Sequence, residues 1–293
     1  MNYVGRFAPS PTGPLHLGSL TTALASCLEA RVRGGSWQLR IEDIDAPRCV
    51  PGLAETLIAT LGGLGFEWDG PVVYQSQRLH RYQAVLAHLQ SAGLTYECGC
   101  SRRELAESNT ADAYPGHCRA QRRGVAPFAL RFRGDSDSTA DFMDALQGQQ
   151  HYPWPSVGDP IIRRRDQLYA YQLAVVVDDA DAAVSHVVRG ADLLSNTPWQ
   201  LALQRALGLK APEYLHLPLV TNADGSKLSK STQAVAVHAD KPTASLHQAL
   251  KLLRQLPPAD LEHASLPELW TWALRHWRVA NLAGVPSLRV DSV

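Results

Sequence analysis

A short strand that empties through a proline- and glycine-rich loop into a long helix sets the first limit on this chain. Arg6–Ser19 reads RFAPSPTGPLHLGS, and Leu20, Ala23, Leu24, Cys27 and Leu28 then recur at helical spacing across Ser19–Arg33. Trp37–Ile44 reads as the next strand, and helices are expected at Leu53–Leu64 and Arg78–Ala92. Strand, helix and strand in this order build a parallel α/β sheet. The loop suits a phosphate, because free backbone N–H groups and the positive end of the helix dipole point out of it. His16 and Gly18 fall in the first turn. A histidine there can donate to a phosphoryl oxygen as charge develops, and a glycine lets a flat base lie against backbone. Taken alone, a histidine at a helix start is more often a cap or a core residue.

The chain then changes character. Residues 98–160 are polar, rich in Gly, Pro, Ser and Asp, and hold Cys98, Cys100 and Cys118. Apolar strands are expected to return at Ala174–Val177 and Val184–Val188, a helix at Thr197–Leu207 and a strand at His216–Thr221. A polar loop follows at Asn222–Thr232, and the remaining stretch is helical with Trp270, Trp272 and Trp277. The expected fold class is α/β: a Rossmann-type parallel-sheet catalytic domain, a zinc-bearing insertion and a short helical C-terminal segment. The expected boundaries are 1–97 and 166–235 for the two halves of the sheet, 98–165 for the insertion and 236–293 for the helical segment.

Composition narrows the partners. The 293 residues carry 28 Lys plus Arg against 28 Asp plus Glu, so global charge does not announce a nucleic acid. Any RNA must be met by local basic surface, for which Arg102 and Arg103, Arg119 with Arg122 and Arg123, and Arg163–Arg165 are candidates; such runs also serve as ion-paired, solvated faces. No stretch approaches the ~20 apolar residues of a membrane span, and the N-terminus carries no basic-then-apolar leader pattern, so a cytoplasmic protein is expected. In a reducing compartment a cysteine cluster reads as metal before disulfide. Two close thiolates and a third a short loop away close a tetrahedral Zn2+ site once a fourth ligand arrives. His117 is the generic choice for it and Tyr114 the rarer one.

A second loop changes the weight of the first. Asp224-Gly-Ser-Lys-Leu-Ser-Lys-Ser231 follows a late strand and is flexible and rich in donors, able to close over a triphosphate. Together, His16-Leu-Gly-Ser19 and Lys227-Leu-Ser-Lys-Ser231 resemble the HIGH and KMSKS signatures of class I aminoacyl-tRNA synthetases, with Leu for Met and Ser for the second His as departures. The form RFAPSPTGPLHLG and the segment Arg40-Ile-Glu-Asp-Ile-Asp-Ala-Pro-Arg48 are similar to the glutamyl branch, with Ile44 where the family has Thr. His186-Val-Val-Arg-Gly-Ala-Asp192 matches that branch's V-x-R-G-x-D element.

The resemblance implies a ligase that uses ATP with Mg2+ to form a glutamyl adenylate without needing tRNA. It places Arg6, Ala8, Ser10, Glu42, Tyr171 and Arg189 at the glutamate, and His16, Gly18, Lys227 and Lys230 at ATP, with His16 and Lys230 catalytic. The chemistry agrees, since glutamate needs Arg for its carboxylates and a carboxylate for its ammonium. A shortened glutamyl-type group holds one structural zinc through C-x-C, Tyr and Cys, which implies Cys98, Cys100, Tyr114 and Cys118, on an insertion facing the RNA acceptor. Only some sixty residues follow Ser231, too few for anticodon-binding domains. A glutamyl-type body without those domains resembles the shortened group, which implies as acceptor the queuosine base at the wobble position in the anticodon region of tRNA(Asp). The alternatives are a truncated glutamyl-tRNA synthetase charging tRNA(Glu) or tRNA(Gln), a nucleotidylyltransferase of the same superfamily, and a non-catalytic RNA-binding paralogue.

Overall fold

The computed structural model describes residues 2–107, 113–222, 237 and 240–290. Strands β1 (Val4–Phe7), β2 (Ser36–Ile41) and β3 (Val73–Tyr74) form a parallel sheet in that order, linked by helices α1 (Leu17–Val32) and α2 (Leu53–Gly63). Helix α3 (Leu79–Ser91) leads out to β4 (Thr95–Cys98) and the short α4 (Arg102–Glu107). Strands β5 (Ala129–Phe132), β6 (Phe142–Asp144) and β7 (Gly148–Gln150) follow, then α5 (Trp154–Val157) and β8 (Ile161–Arg163). The chain continues through α6 (Tyr171–Asp181), β9 (His186–Gly190), α7 (Thr197–Ala206), β10 (Glu213–Leu217) and β11 (Leu219–Thr221). Helices α8 (Pro242–Leu252) and α9 (Leu266–His276) and strand β12 (Ser287–Arg289) complete it.

A second sheet runs β7-β6-β10-β9, with β9, β10 and β6 parallel. Its β9 edge lies against β1. The Ser185 N–H donates to the Val4 carbonyl at 2.9 Å, the Val4 N–H to Ser185 Oγ at 2.8 Å, and Tyr3 stacks on His186 with centroids 4.0 Å apart. The strands thus follow one another as β3-β2-β1-β9-β10-β6-β7. The order reverses between β1 and β9, and in an open α/β sheet the crevice at the carboxyl ends of such a pair is where ligands bind.

Helix α1 is buried nearly all round, with Leu20, Ala23, Leu24, Leu28 and Ala30 wholly inaccessible. It packs on β1, β2 and β9 on one side and on α8 and α9 on the other. The C-terminal helices are pinned to it by Trp277, whose Nε1–H donates to the buried Glu29 carboxylate at 2.7 Å. Trp37 anchors the same core: its Nε1–H reaches Ser26 Oγ at 3.0 Å, and Phe7 and Phe66 stack on its ring.

Three sequence expectations change. Ala174–Val177 lies in helix α6, not in a strand. A short run of β-branched residues favours strand by propensity, but every side chain here is covered, and a segment buried on all faces shows no periodicity to separate helix from strand. Pro218 divides the strand expected over His216–Thr221, and β11 leaves the main sheet to pair in parallel with β12, so the C-terminal segment is not helical alone. The run 98–165 is also mixed. Strands β4, β5 and β8 make a separate antiparallel sheet, whereas β6 and β7 join the sheet of β10. The Asn222–Thr232 loop lies, beyond Asn222, outside the described residues.

Asp178, on the inner face of α6, gathers three side chains from α3 and from the short turn that precedes it. Its carboxylate accepts from Tyr82 Oη at 2.9 Å, Gln75 Nε2 at 2.8 Å and Arg78 Nε at 2.6 Å. Asp178→Ala leaves a buried cationic and phenolic cluster without its acceptor. A loss of ~3–5 kcal/mol is expected, read as a lowered urea midpoint at unchanged slope.

Candidate active site

The crevice between β1 and β9 opens into a cavity of about 680 Å³. Arg6, Ala8, Ser10, His16, Gly18, Glu42, Tyr171 and Arg189 all line it, so the structure collects at one place every residue expected at the glutamate or ATP within the described region, while the expected metal ligands form a separate group. Lys227 and Lys230 lie outside the described residues. The means of delivery differ. Arg6 and Arg189 stand near the carboxyl ends of adjacent strands, Glu42 follows the end of β2, and Tyr171 is the first residue of α6.

Charge is arranged in two layers. Asp179 accepts from Arg40 NH1 at 2.7 Å and from Arg6 Nε at 3.3 Å. Burial would raise its pKa, but Arg6 and Arg40 outweigh burial and hold it below the usual carboxylate range. Glu42 accepts from Arg40 at 3.3 Å, and burial pushes its carboxyl up against the pull of Arg40 and Arg6. Arg189 is 4% exposed and is surrounded differently. Its guanidinium donates to Gln200 Oε1 at 2.9 Å, Thr197 Oγ1 at 2.9 Å, His216 Nε2 at 3.0 Å and Tyr171 Oη at 3.3 Å. These acceptors are neutral or nearly so, and among the described residues no carboxylate lies within ion-pair distance of Arg189. A buried cation held by neutral groups keeps its charge for a ligand.

His16 caps α1: its Nδ1 accepts the Ser19 N–H at 3.2 Å, and its Nε2 lies 2.9 Å from Ser19 Oγ. The cap that sequence offers as the ordinary explanation is therefore present, in a residue that also lines the cavity. A Cβ on Gly18 would stand 3.3 Å from the His16 ring and 3.7 Å from Val220. A side chain there would press on the ring and on the floor of the cavity.

The sulfur atoms of Cys98, Cys100 and Cys118 lie within 4.8 Å of one another, a group that could hold a metal ion. A tetrahedral ion bonded to sulfur at ~2.3 Å sets its ligands about 3.8 Å apart. Cys100 Sγ lies 3.5 Å from Cys118 Sγ, and Tyr114 Oη lies 3.5 Å from Cys98 Sγ and 3.8 Å from Cys100 Sγ. His117 is not part of the group. Against the burial that opposes ionisation, hydrogen bonds from Tyr114 and from the Gly99 and Arg123 backbone bring the Cys118 thiol down to about 7. Three soft donors, one already inclined to ionise, fit a thiolate-loving divalent ion.

The arginine runs are largely committed inside the molecule. Arg119 and Arg122 pair with Asp159 and Glu97, Arg164 with Asp45 and Asp166, and Arg165 holds the carbonyls of Gly99, Val125 and Pro127. Sequence reading missed Asp179, His216 and Asp144 as supports of the site. No motif marks them, and only the pairing of distant strands and helices makes them neighbours.

Comparison with known proteins agrees with this geometry. Residues 3–256 match the model of the tRNA synthetases class I (E and Q), catalytic domain. The chain is 51% identical to the glutamyl-Q tRNA(Asp) synthetase of Dechloromonas aromatica over 94% of both chains, and 47% identical to that of Pseudomonas aeruginosa over 99% of both. Among solved structures it is similar to a glutamate tRNA ligase from Elizabethkingia meningosepticum, crystallised in complex with its amino acid. That likeness has a TM-score of 0.80 and 26% identity, covering 99% of this chain and 67% of that one. A putative arginyl-tRNA synthetase from Campylobacter jejuni shares the fold alone, with a TM-score of 0.51 and 14% identity. The chain belongs to the class I tRNA synthetases of the glutamyl and glutaminyl branch, an enzyme family of ligases, and within it groups with the glutamyl-Q tRNA(Asp) synthetases.

Proposed function

We propose that this protein activates L-glutamate with ATP and transfers the glutamyl group to the queuosine base at the wobble position of tRNA(Asp). The observation that carries the amino-acid reading is Arg189, a buried guanidinium on neutral acceptors at the wall of the cavity that Arg6 and Glu42 also line. Two arginines and one carboxylate match the two carboxylates and one ammonium of glutamate. Tyr171 adds a hydroxyl 3.3 Å from Arg189, with Ala8 and Ser10 on the wall.

The reaction asks for no side-chain nucleophile. The α-carboxylate of glutamate attacks the α-phosphorus of ATP, the bond to the β-phosphate oxygen breaks, and pyrophosphate leaves with Mg2+. His16, with Gly18 keeping backbone open to the base, and Lys227 and Lys230 would neutralise charge that grows on the phosphoryl oxygens, which is catalysis by position and electrostatics. In the second step an acceptor oxygen attacks the glutamyl carbonyl and AMP departs. Support for the acceptor comes from the relatives named for it; tRNA(Glu) is the alternative acceptor.

Cys98, Cys100, Tyr114 and Cys118 would hold a structural zinc ion, which fixes a polar insertion that buries little core of its own. Burial pushes the Tyr114 hydroxyl up, so a cation at the cluster is what would draw off its proton.

Three outcomes are expected. Labelled glutamate is transferred to queuosine-containing tRNA(Asp) and not to queuosine-free tRNA(Asp) or to tRNA(Glu); labelling of tRNA(Glu) instead would make the chain an ordinary synthetase. ATP–pyrophosphate exchange with glutamate proceeds before any tRNA is added, and exchange that starts only with tRNA contradicts this. Metal analysis of protein purified without chelator returns one zinc per chain, and Cys100→Ser lowers that content together with the melting temperature, whereas His117→Ala leaves both unchanged.

A further inference from the structure

Behind Arg189, on the side away from the cavity, lies a fully buried acid–imidazole pair. His216 and Asp144 are 0% and 1% exposed, and His216 Nδ1 lies 2.6 Å from Asp144 Oδ2. The same carboxylate accepts the backbone N–H groups of Leu146 and Gln147 at 3.0 and 2.9 Å and that of His216 at 3.1 Å. Asp144 can only accept when ionised, so the proton of this bond sits on Nδ1. The other ring nitrogen, Nε2, is then a lone pair, and it faces the Nε–H of Arg189 at 3.0 Å and, at a longer 3.3 Å, the Thr197 hydroxyl.

We propose that Asp144 and His216 form a relay that positions Arg189 for substrate, by fixing the imidazole tautomer that accepts from the guanidinium. His216 stays neutral: burial lowers its pKa, and the nearby Arg189 cation opposes its protonation in spite of Asp144. Were the tautomer reversed, an N–H would face an N–H and Arg189 would be pushed from its place. The order of contacts, carboxylate to Nδ1–H and Nε2 to the working group, follows the logic by which a buried acid sets the tautomer of a catalytic histidine. Here the working group is a cation that binds substrate rather than a nucleophile, so both are positioning residues. Gln200 and Thr197 hold NH1 and NH2, each at 2.9 Å, and His216 holds Nε. The plane of the fork is thereby fixed on its three nitrogens, and an arriving carboxylate would take the place of the long contacts to Tyr171 Oη at 3.3 Å and the Leu193 carbonyl at 3.4 Å. Preorganisation of this kind saves the side-chain ordering that binding would otherwise cost. The relay also ties the site to β6 and β10. Asp144 ends β6, His216 lies on β10 and Arg189 on β9, so the three side chains cross three neighbouring strands of one sheet.

The inference rests on the reading of Arg189 as a glutamate-binding residue, and the test separates the two. ATP–pyrophosphate exchange is measured for Asp144→Asn, His216→Gln, His216→Leu and Arg189→Lys, with KM for glutamate and for ATP determined separately and thermal melting recorded for each. In Asp144→Asn the amide oxygen still takes the backbone N–H groups, but the amide N–H faces Nδ1 and drives the proton to Nε2. A rise in KM for glutamate of about tenfold or more is expected, with KM for ATP unchanged. His216→Gln and His216→Leu both sever the bond to Asp144 and share its structural cost, yet only Gln can accept from Arg189. KM for glutamate should stay within about threefold of the parent in the first and rise about tenfold in the second. In the double variant Arg189→Lys/Asp144→Asn the loss should be no greater than in Arg189→Lys alone, because the two act through one contact. If Arg189→Lys raises KM for glutamate while Asp144→Asn does not, or if His216→Gln and His216→Leu are alike, the relay is overturned and the substrate reading stands. If Arg189→Lys itself leaves KM for glutamate unchanged, the substrate reading fails and the relay falls with it.

Discussion

Asp179 lies 2.7 Å from Arg40 and 3.3 Å from Arg6, in a space that excludes water from all three side chains. Three elements meet there: β1 brings Arg6, β2 brings Arg40 and α6 brings Asp179. Two cations share one buried carboxylate, an arrangement that would be costly without a further anion nearby. Glu42, beside Arg40, supplies part of that compensation. The next residue, Asp178, points about a third of a turn away on the same helix and gathers Tyr82, Gln75 and Arg78. Two consecutive acids on α6 therefore fix the distance between the first sheet, the second half of the sheet and α3.

That arrangement governs how the cavity is charged. Arg6 reaches the cavity already partly neutralised, whereas Arg189 arrives with its charge uncompensated by any described carboxylate. A ligand with one carboxylate would find Arg189 the better partner, and a second carboxylate could share Arg6 with Asp179. Glu42, raised by burial but flanked by Arg40 and Arg6, is the carboxylate that would meet an ammonium in the proposed reading. The cavity wall thus carries both signs of charge, with Asp45, Arg48, Arg164 and Asp192 beside these three, which suits a zwitterionic ligand better than a simple anion.

The cysteine cluster stands apart from this cavity. Beside it Asp159 ties β4 to the segments around the sheet of β4, β5 and β8, accepting from Tyr96 Oη at 2.7 Å, Trp154 Nε1 at 3.0 Å and the Gly134 N–H at 3.0 Å. The thiol group lies at one end of this sheet, where the chain runs through turns with few apolar contacts. A metal ion held there, as proposed, would contribute its binding energy to folding, in a stretch whose polar composition leaves little apolar core to do so.

The sequence alone determined what depends on local order. Residues 6–19 carry their own strand, loop and helix cap, so β1, α1 and the placement of His16 follow from neighbours within a few positions. The cysteine spacing likewise announced its cluster, and the glutamyl-type motifs named the residues that line the cavity. Only the tertiary structure decided the rest. Whether Ala174–Val177 is strand or helix depends on what covers it, because a fully buried run carries no periodicity. The place of β6 in the main sheet depends on pairing with β10, some seventy residues on in sequence. Asp144, His216 and Asp179 belong to no motif. Their roles arise where strands and helices distant in sequence become neighbours, and hydrogen bonds between such partners leave no trace in the order of residues.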